Sequence, residues 1–281
     1  CLVGSEMCIR DRYEERTKKV ILFLVLFHCI VYGRCVRIGD NIRKVCQKIC
    51  GGYKRHTDES EDFMRITIFS LGGLLGQYVT NTALLHGAQV TAYVPDAKAI
   101  WPRKNMTVIE GSLQNRERVL EALLEADAVI SVLTPMRVKH VKEEETPLAD
   151  GNAMILSAMK QLGKTRFVTV GHVCIHAFGD CEDKYQRMST KFMQIFWPGV
   201  YKDMQKMGQV LARSDLNWTL VRTCPGRDGK VKKVGQNCSI SLDGSQFRPG
   251  YSREALAEFL YEAAADQQMY SRKMPIFYRE G

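Results

Sequence analysis

From Met64 to the end of the chain, short apolar runs rich in β-branched residues alternate with stretches of helical periodicity. The first run, Ile66-Thr67-Ile68-Phe69, stops at the glycines Gly72, Gly73 and Gly76, beyond which Tyr78, Val79, Ala83, Leu84 and Leu85 recur at helical spacing. Strand, tight turn and helix follow in that order. Further strands are expected at Gln89 to Val94, Met106 to Ile109, Ala128 to Leu133, Arg166 to Val170 and Trp218 to Arg222. Helices are expected at Val119 to Leu124, Leu148 to Leu162, Tyr201 to Arg213 and Arg253 to Ala265, with Gly87 and Gly163 as stop signals. Strands apolar on both faces and separated by helices imply an α/β fold, a single doubly wound parallel sheet with right-handed crossovers. Ligands of such sheets bind at the carboxyl ends of the strands, where strand order reverses.

The first sixty residues do not share this alternation. Cys1 to Arg12 resembles translated sequencing-adapter sequence and is set aside from fold reasoning. Residues 13–63 are expected to form a poorly structured or helical N-terminal extension, and residues 64–281 the main domain. Within the extension, Val20 to Tyr32 is an apolar run behind Lys18 and Lys19, shorter than the roughly 18 residues of a membrane-spanning helix. Its length suits a signal-peptide core, yet no small-residue cleavage site follows, and Arg34, Arg37, Arg43 and Lys44 come soon after. Translated upstream sequence, a membrane-associating leader and an ordinary helix all remain open for it. Polar, acidic Tyr53 to Asp62 is the expected boundary, and Met64 a natural start codon.

Of the 281 residues, 45% are hydrophobic and 25% charged, which suits one or two globular domains and argues against disorder. The net charge of +9 raises nucleic acid as a partner, but the basic residues are dispersed. Their densest run in the second half, Lys230, Lys232 and Lys233, reads as a solvated loop. A basic surface instead favours an anionic cofactor or substrate. Six of the ten cysteines precede Met64, and Cys174, Cys181, Cys224 and Cys238 have no metal-like pairing. No metal site is therefore expected, and the main domain reads as reduced and cytoplasmic.

A glycine-rich turn between strand and helix lets a phosphate approach backbone amides with no side chain in the way. Three stretches carry a family resemblance: Ile66 to Gly76, Asp127 to Leu133, and Leu211-Ala-Arg-Ser-Asp-Leu-Asn-Trp-Thr-Leu-Val-Arg222. Together with Tyr251 to Leu260 they resemble the NAD(P)-binding atypical short-chain dehydrogenase/reductases, in particular the NmrA-like and biliverdin reductase B/flavin reductase-like proteins. The resemblance implies a Rossmann-type fold. It places the cofactor turn, usually Gly-Ala-Thr-Gly-x-x-Gly, at Ser70, Leu71, Gly72, Gly73, Leu74, Leu75 and Gly76. Ser70 stands for the first glycine and Gly72 for the threonine, so Ser70 is expected to adopt the conformation that glycine normally supplies.

The same resemblance places an arginine where Pro95 stands, leaving Lys98 and Arg103 as cations for an NADP 2′-phosphate. Asp96 is the ribose partner that NAD would use. It also sets Ser112 near the adenine and Thr134, with Pro135, beside the nicotinamide. NADP is the expected cofactor, with NAD as the alternative. No Tyr-x-x-x-Lys pair occurs in the chain; Gln205 stands four residues after Tyr201, with Lys202 and Lys206 nearby. Tyr201 and His172 are the catalytic candidates, although His172 reads equally as a hydrogen-bonded strand-end histidine. Arg222 with Cys224-Pro225-Gly226 is either a substrate-side loop or an ordinary turn. The insertion Cys174 to Trp197, holding Phe178, Tyr185, Phe192 and Phe196, is either a lid or core packing.

The implied activity is an NAD(P)H-dependent oxidoreductase passing hydride to a flavin, tetrapyrrole or other conjugated small molecule. The missing acid–base pair leaves open a non-catalytic dinucleotide sensor reporting to a protein partner, and Ser70 with Pro95 a pseudoenzyme. A small-molecule substrate, no nucleic acid, a monomer, and membrane contact only through the N-terminal run complete the expectations.

Overall fold

The computed structural model describes residues 63–280, apart from 71, 134–144, 182, 225–237 and 246. Expectations placed on the N-terminal extension, on Leu71, on Thr134 and Pro135, and on Pro225 to Lys233 lie outside the described residues.

Eight strands form one sheet: β1 Arg65–Ser70, β2 Gln89–Val94, β3 Met106–Glu110, β4 Ala128–Val132, β5 Arg166–His172, β6 Asn217–Thr223, β7 Cys238–Ser241 and β8 Ile276–Arg279. Their order is β3-β2-β1-β4-β5-β6-β8-β7, parallel except for β7, which runs antiparallel to β8. The expected doubly wound parallel sheet is present, and the β8-β7 pair extends it at one edge. β7 and β8 have four residues each, too few for a pattern to stand out in the sequence.

Six helices cover the sheet: α1 Leu74–Leu85, α2 Arg116–Leu123, α3 Pro147–Gln161, α4 Lys184–Phe196, α5 Pro198–Arg213 and α6 Arg253–Ala265. Alternate strand residues point to opposite faces. Ile66 and Ile68 join Val79 and Ala83 of α1 and Leu256 and Leu260 of α6, whereas Phe69 joins residues of α2, α3 and α5 such as Val119, Ile155 and Leu211. The order reverses between β1 and β4, which pair in register from Ile66 with Ala128 to Ser70 with Val132. That reversal opens the crevice in which the candidate site lies.

Local chemistry sets most helix ends. α2 is capped by Asn115, whose Oδ1 accepts from the amide of Arg118 at 3.2 Å, and α6 by Ser252, which accepts from Ala255 at 3.3 Å. Gly87 and Gly163 end α1 and α3 at φ +81° and +66°, a region glycine enters without strain. Pro198 starts α5, three residues earlier than the periodicity suggests, since proline fits the first helical turn. The Cys174 to Trp197 insertion holds α4, a helix the sequence reading did not distinguish.

Candidate functional site

Ser70 is the last residue of β1, paired with Val132, and is absent from the residues with positive φ. The expectation that it replaces glycine in a strained turn is thereby corrected: the left-handed residue is Gly72, at φ +84°. Gly73 precedes α1 in extended conformation (φ −75°, ψ 157°), and no side chain caps the helix. Among the described residues the first amides of α1 therefore have no side-chain partner, the condition under which a helix start can receive an anion. A Cβ on Gly72 would meet nothing within 4 Å, so the approach is open. Leu74 is 58% exposed and Leu75 packs on the α1 side of the core, so neither fills the bend. Gly76 closes the turn against the strand, because a Cβ there would fall 2.1 Å from Ser70 Oγ.

Two clefts open from this turn. One of about 190 Å³ lies between Gly72, Gly73, the α1 residues Gln77 and Asn81, and Trp101 and Arg103. The other, about 920 Å³, runs along the carboxyl ends of β1 to β4 past Ser70, Pro95, Gly111, Ser112 and Leu133 to Thr146 and Asp150 at the start of α3. Ser70 lines both. Arg103 donates to Asn81 Oδ1 and borders the smaller cleft, whereas Lys98 lines neither and is exposed on the short 3-10 turn Ala97–Ala99. Asp96 Oδ1 accepts from the amide of Lys98 at 2.9 Å. Glu110 Oε2 accepts from the amide of Ala97 at 3.0 Å, tying the loop after β2 to the end of β3.

At the Ser112 position, Tyr93 donates its hydroxyl to the Ser112 carbonyl at 2.8 Å. Position 111 must be glycine for this, since a Cβ would lie 2.3 Å from the Tyr93 hydroxyl oxygen. Ser112 Oγ accepts from the amide of Gln114 at 3.3 Å.

His172 ends β5, partly buried. Its Nδ1 accepts from the amide of Cys174 at 3.1 Å, and burial pushes its pKa down to about 4, so the ring is neutral and carries its proton on Nε2. Nε2 lies 3.4 Å from Ser189 Oγ, which lies 3.3 Å from Cys224 Sγ. In this tautomer the ring donates toward Ser189 Oγ and does not act as its base. It can orient a polar group or donate a neutral hydrogen bond. Burial also pushes the Cys174 thiol up to about 12, leaving it unreactive. Tyr201 packs on the core face of α5, and its hydroxyl has no hydrogen-bond partner among the described residues. Gln205 donates to the Cys174 carbonyl at 2.5 Å, and Lys206 to Thr146 Oγ1 at 2.6 Å and Asp150 Oδ1 at 2.8 Å. Lys206, five residues after Tyr201 on its helix, is thus anchored at the start of α3.

Two acids that the sequence reading passed over organise this end of the sheet. Asp203 of α5 is fully buried and accepts from the amides of Leu148 and Ala149, both at 2.9 Å, capping α3 from a neighbouring helix. Burial pushes its carboxyl up, and the two amides oppose that shift. The available signal was its helical phase, since Val200, Met204 and Met207 around it are all buried. Asp180, in the loop after β5, grips buried Arg222 of β6 through both carboxylate oxygens, Nη2 to Oδ1 at 2.8 Å. Arg222 also donates to the carbonyls of Ile175 at 2.8 Å and Met274 at 2.7 Å. Arg222 is therefore a buried tie, not a substrate-facing cation.

All four described cysteines lack a disulfide, and no group of acids, histidines and cysteines among the described residues is arranged to hold a metal. No helix among the described residues is long and apolar enough to cross a membrane.

In fold, the chain is similar to a short-chain dehydrogenase/reductase from Veillonella parvula solved in complex with NADP, at 22% identity and TM-score 0.61 over 78% of this chain and 96% of that one. It is also similar to an oxidoreductase from Lactococcus lactis (13% identity, TM-score 0.61, 77% and 91% covered) and to a Rossmann-fold NAD(P)-binding family protein from Shigella flexneri (16%, 0.58, 78% and 95%). No curated protein matches the chain in sequence. Residues 72–267, beginning at the first glycine of the turn, match the model of the NAD(P)H-binding family, and the chain belongs to that family.

Proposed function

We propose that the protein is a cytoplasmic, monomeric NAD(P)H-dependent reductase of the NmrA-like and flavin reductase-like kind, acting on a flavin, tetrapyrrole or other conjugated small molecule. The observation that carries this reading is the 920 Å³ cleft, which opens from Ser70 at the glycine turn and crosses the carboxyl ends of β1 to β4. In this reading Gly72, Gly73 and the amides of Leu74 and Leu75 hold the diphosphate, with Gly76 keeping Ser70 and α1 in contact beneath it. Ser112 lies on the adenosine side. Arg103, at the smaller cleft, is a better placed partner for a 2′-phosphate than exposed Lys98, which favours NADP over NAD.

A bound reduced nicotinamide supplies the hydride, so the protein contributes positioning more than acid–base chemistry. Neutral His172, whose Nε2–H faces Ser189 Oγ, and Tyr201 line neither cleft; in this reading they act on the acceptor from beyond the end of β5. A second reading, a dinucleotide sensor without turnover, is favoured by the low pKa of His172 and by the lack, among the described residues, of a hydrogen-bond partner for the Tyr201 hydroxyl. Calorimetric titration of the full chain with NADPH and NADH, followed by nicotinamide absorbance with a flavin added, separates the two. Binding with flavin-dependent oxidation supports the reductase, and binding without oxidation across conjugated acceptors supports the sensor. Absence of binding removes both.

A further inference from the structure

Helix α4 buries one side and leaves the other apolar. Gln186, Thr190 and Met193 face the protein. On the opposite side Met188, Phe192, Ile195 and Phe196 are 63%, 46%, 72% and 60% exposed. Their spacing, i, i+4, i+7 and i+8, makes them one stripe along the helix instead of scattered surface residues. The rings of Phe192 and Phe196 lie 4.6 Å apart, and that of Trp197 meets Phe192 edge-on at 5.1 Å. Phe178, in the loop leading into α4, is fully exposed as well.

The charges on α4 have a single sign. Lys184, Arg187 and Lys191 border the apolar stripe, and the helix carries no aspartate or glutamate. Among the described residues the acids next to the helix are already engaged: Asp183 pairs with Arg248 at 3.3 Å, and Asp180 is buried against Arg222, while Glu182 lies outside the described residues. We infer that the outward face of α4 docks the protein on an anionic lipid surface, its aromatic and aliphatic side chains entering the headgroup boundary while the basic flank meets lipid phosphates and carboxylates. Charge decides against a second copy of the chain. A two-fold contact through this face would set the basic flank against itself, on a chain of net charge +9.

The test is co-sedimentation of the full chain with vesicles of phosphatidylcholine containing about 30% phosphatidylserine, against vesicles of phosphatidylcholine alone. Partition onto the anionic vesicles is expected to exceed that onto neutral ones by about tenfold or more, and to fall as salt is raised. Ile195→Ser and the double variant Phe192→Ser/Ile195→Ser are each expected to lower it, the double by about tenfold. The triple variant Lys184→Gln/Arg187→Gln/Lys191→Gln is expected to erase the preference for anionic lipid. Ile195→Ser and the charge variant change only exposed side chains, so they keep the test decisive if Phe192→Ser disturbs folding. Equal partition onto both vesicles, or partition that the α4 variants leave unchanged and that therefore arises elsewhere in the chain, overturns the inference. So does a dimer that Ile195→Ser dissociates in sedimentation velocity without any vesicle binding.

Discussion

Ser70 Oγ lies against the backbone of Gly76, so close that a Cβ at position 76 would fall 2.1 Å from it and 2.7 Å from Ser70 Cβ. Gly76→Ala forces the strand end and the helix start apart, an overpacking cost of about 1–3 kcal/mol. It also moves the amides proposed to hold the diphosphate. Ser70→Gly/Gly76→Ala removes the clash. Denaturant unfolding and NADPH titration of the two variants are expected to show a deficit in Gly76→Ala that the double variant largely restores.

Gly111 and Tyr93 form a similar pair at the end of β3. Gly111→Ala places a methyl 2.3 Å from the Tyr93 hydroxyl oxygen, and the hydrogen bond from Tyr93 to the Ser112 carbonyl must break or shift. Tyr93→Phe removes the bond without the clash and is expected to cost about 1 kcal/mol. Gly111→Ala is expected to cost more and, if Ser112 contacts the adenosine, to weaken dinucleotide binding several-fold while Tyr93→Phe weakens it less. Calorimetry on both variants checks the order.

Stability is expected to fall between pH 6.5 and about 4 in part through His172. Its folded pKa of about 4 lies below the ordinary 6.5, so in that interval the unfolded chain binds a proton the folded one refuses. Above pH 6.5 both states are neutral and the group contributes no slope. The loss on acidification approaches about 3 kcal/mol once pH reaches the folded value. Denaturant unfolding across this range is expected to show a shallower pH dependence in His172→Gln than in the parent chain.

Asp180→Asn leaves the Arg222 guanidinium buried with half its compensation gone. Breaking such a pair costs about 3–5 kcal/mol, since the stranded charge remains out of water. Asp180→Asn/Arg222→Met removes both charges and is expected to recover part of that loss. Unfolding midpoints of the parent, single and double variants measure the coupling.

Where periodicity is local, the sequence was legible: β2 and α6 occupy the spans it indicates, and the glycine turn announces the end of β1. Legibility failed at Ser70, where counting against a motif suggested strain, whereas register with Val132 keeps the residue extended and passes the left-handed step to Gly72. It failed again for Arg222, a strand-end cation with the look of a ligand group, because its partner lies 42 residues earlier in a polar loop. His172 was visible as a candidate, but only its surroundings decide that the ring is neutral and which nitrogen holds the proton.

The order of apolar runs and helical stretches, with glycine at the first turn, was enough to determine a doubly wound sheet and the end of it at which a ligand would lie. Such patterns report whether each residue faces the core, a property of neighbours a few positions apart. The tertiary structure alone decided that Asp203 caps α3, that Asp180 neutralises Arg222, that β7 turns antiparallel at the edge, and that α4 keeps an apolar side outward. Each depends on which distant segment the folded chain brings alongside, and contact between distant segments leaves no period in the sequence.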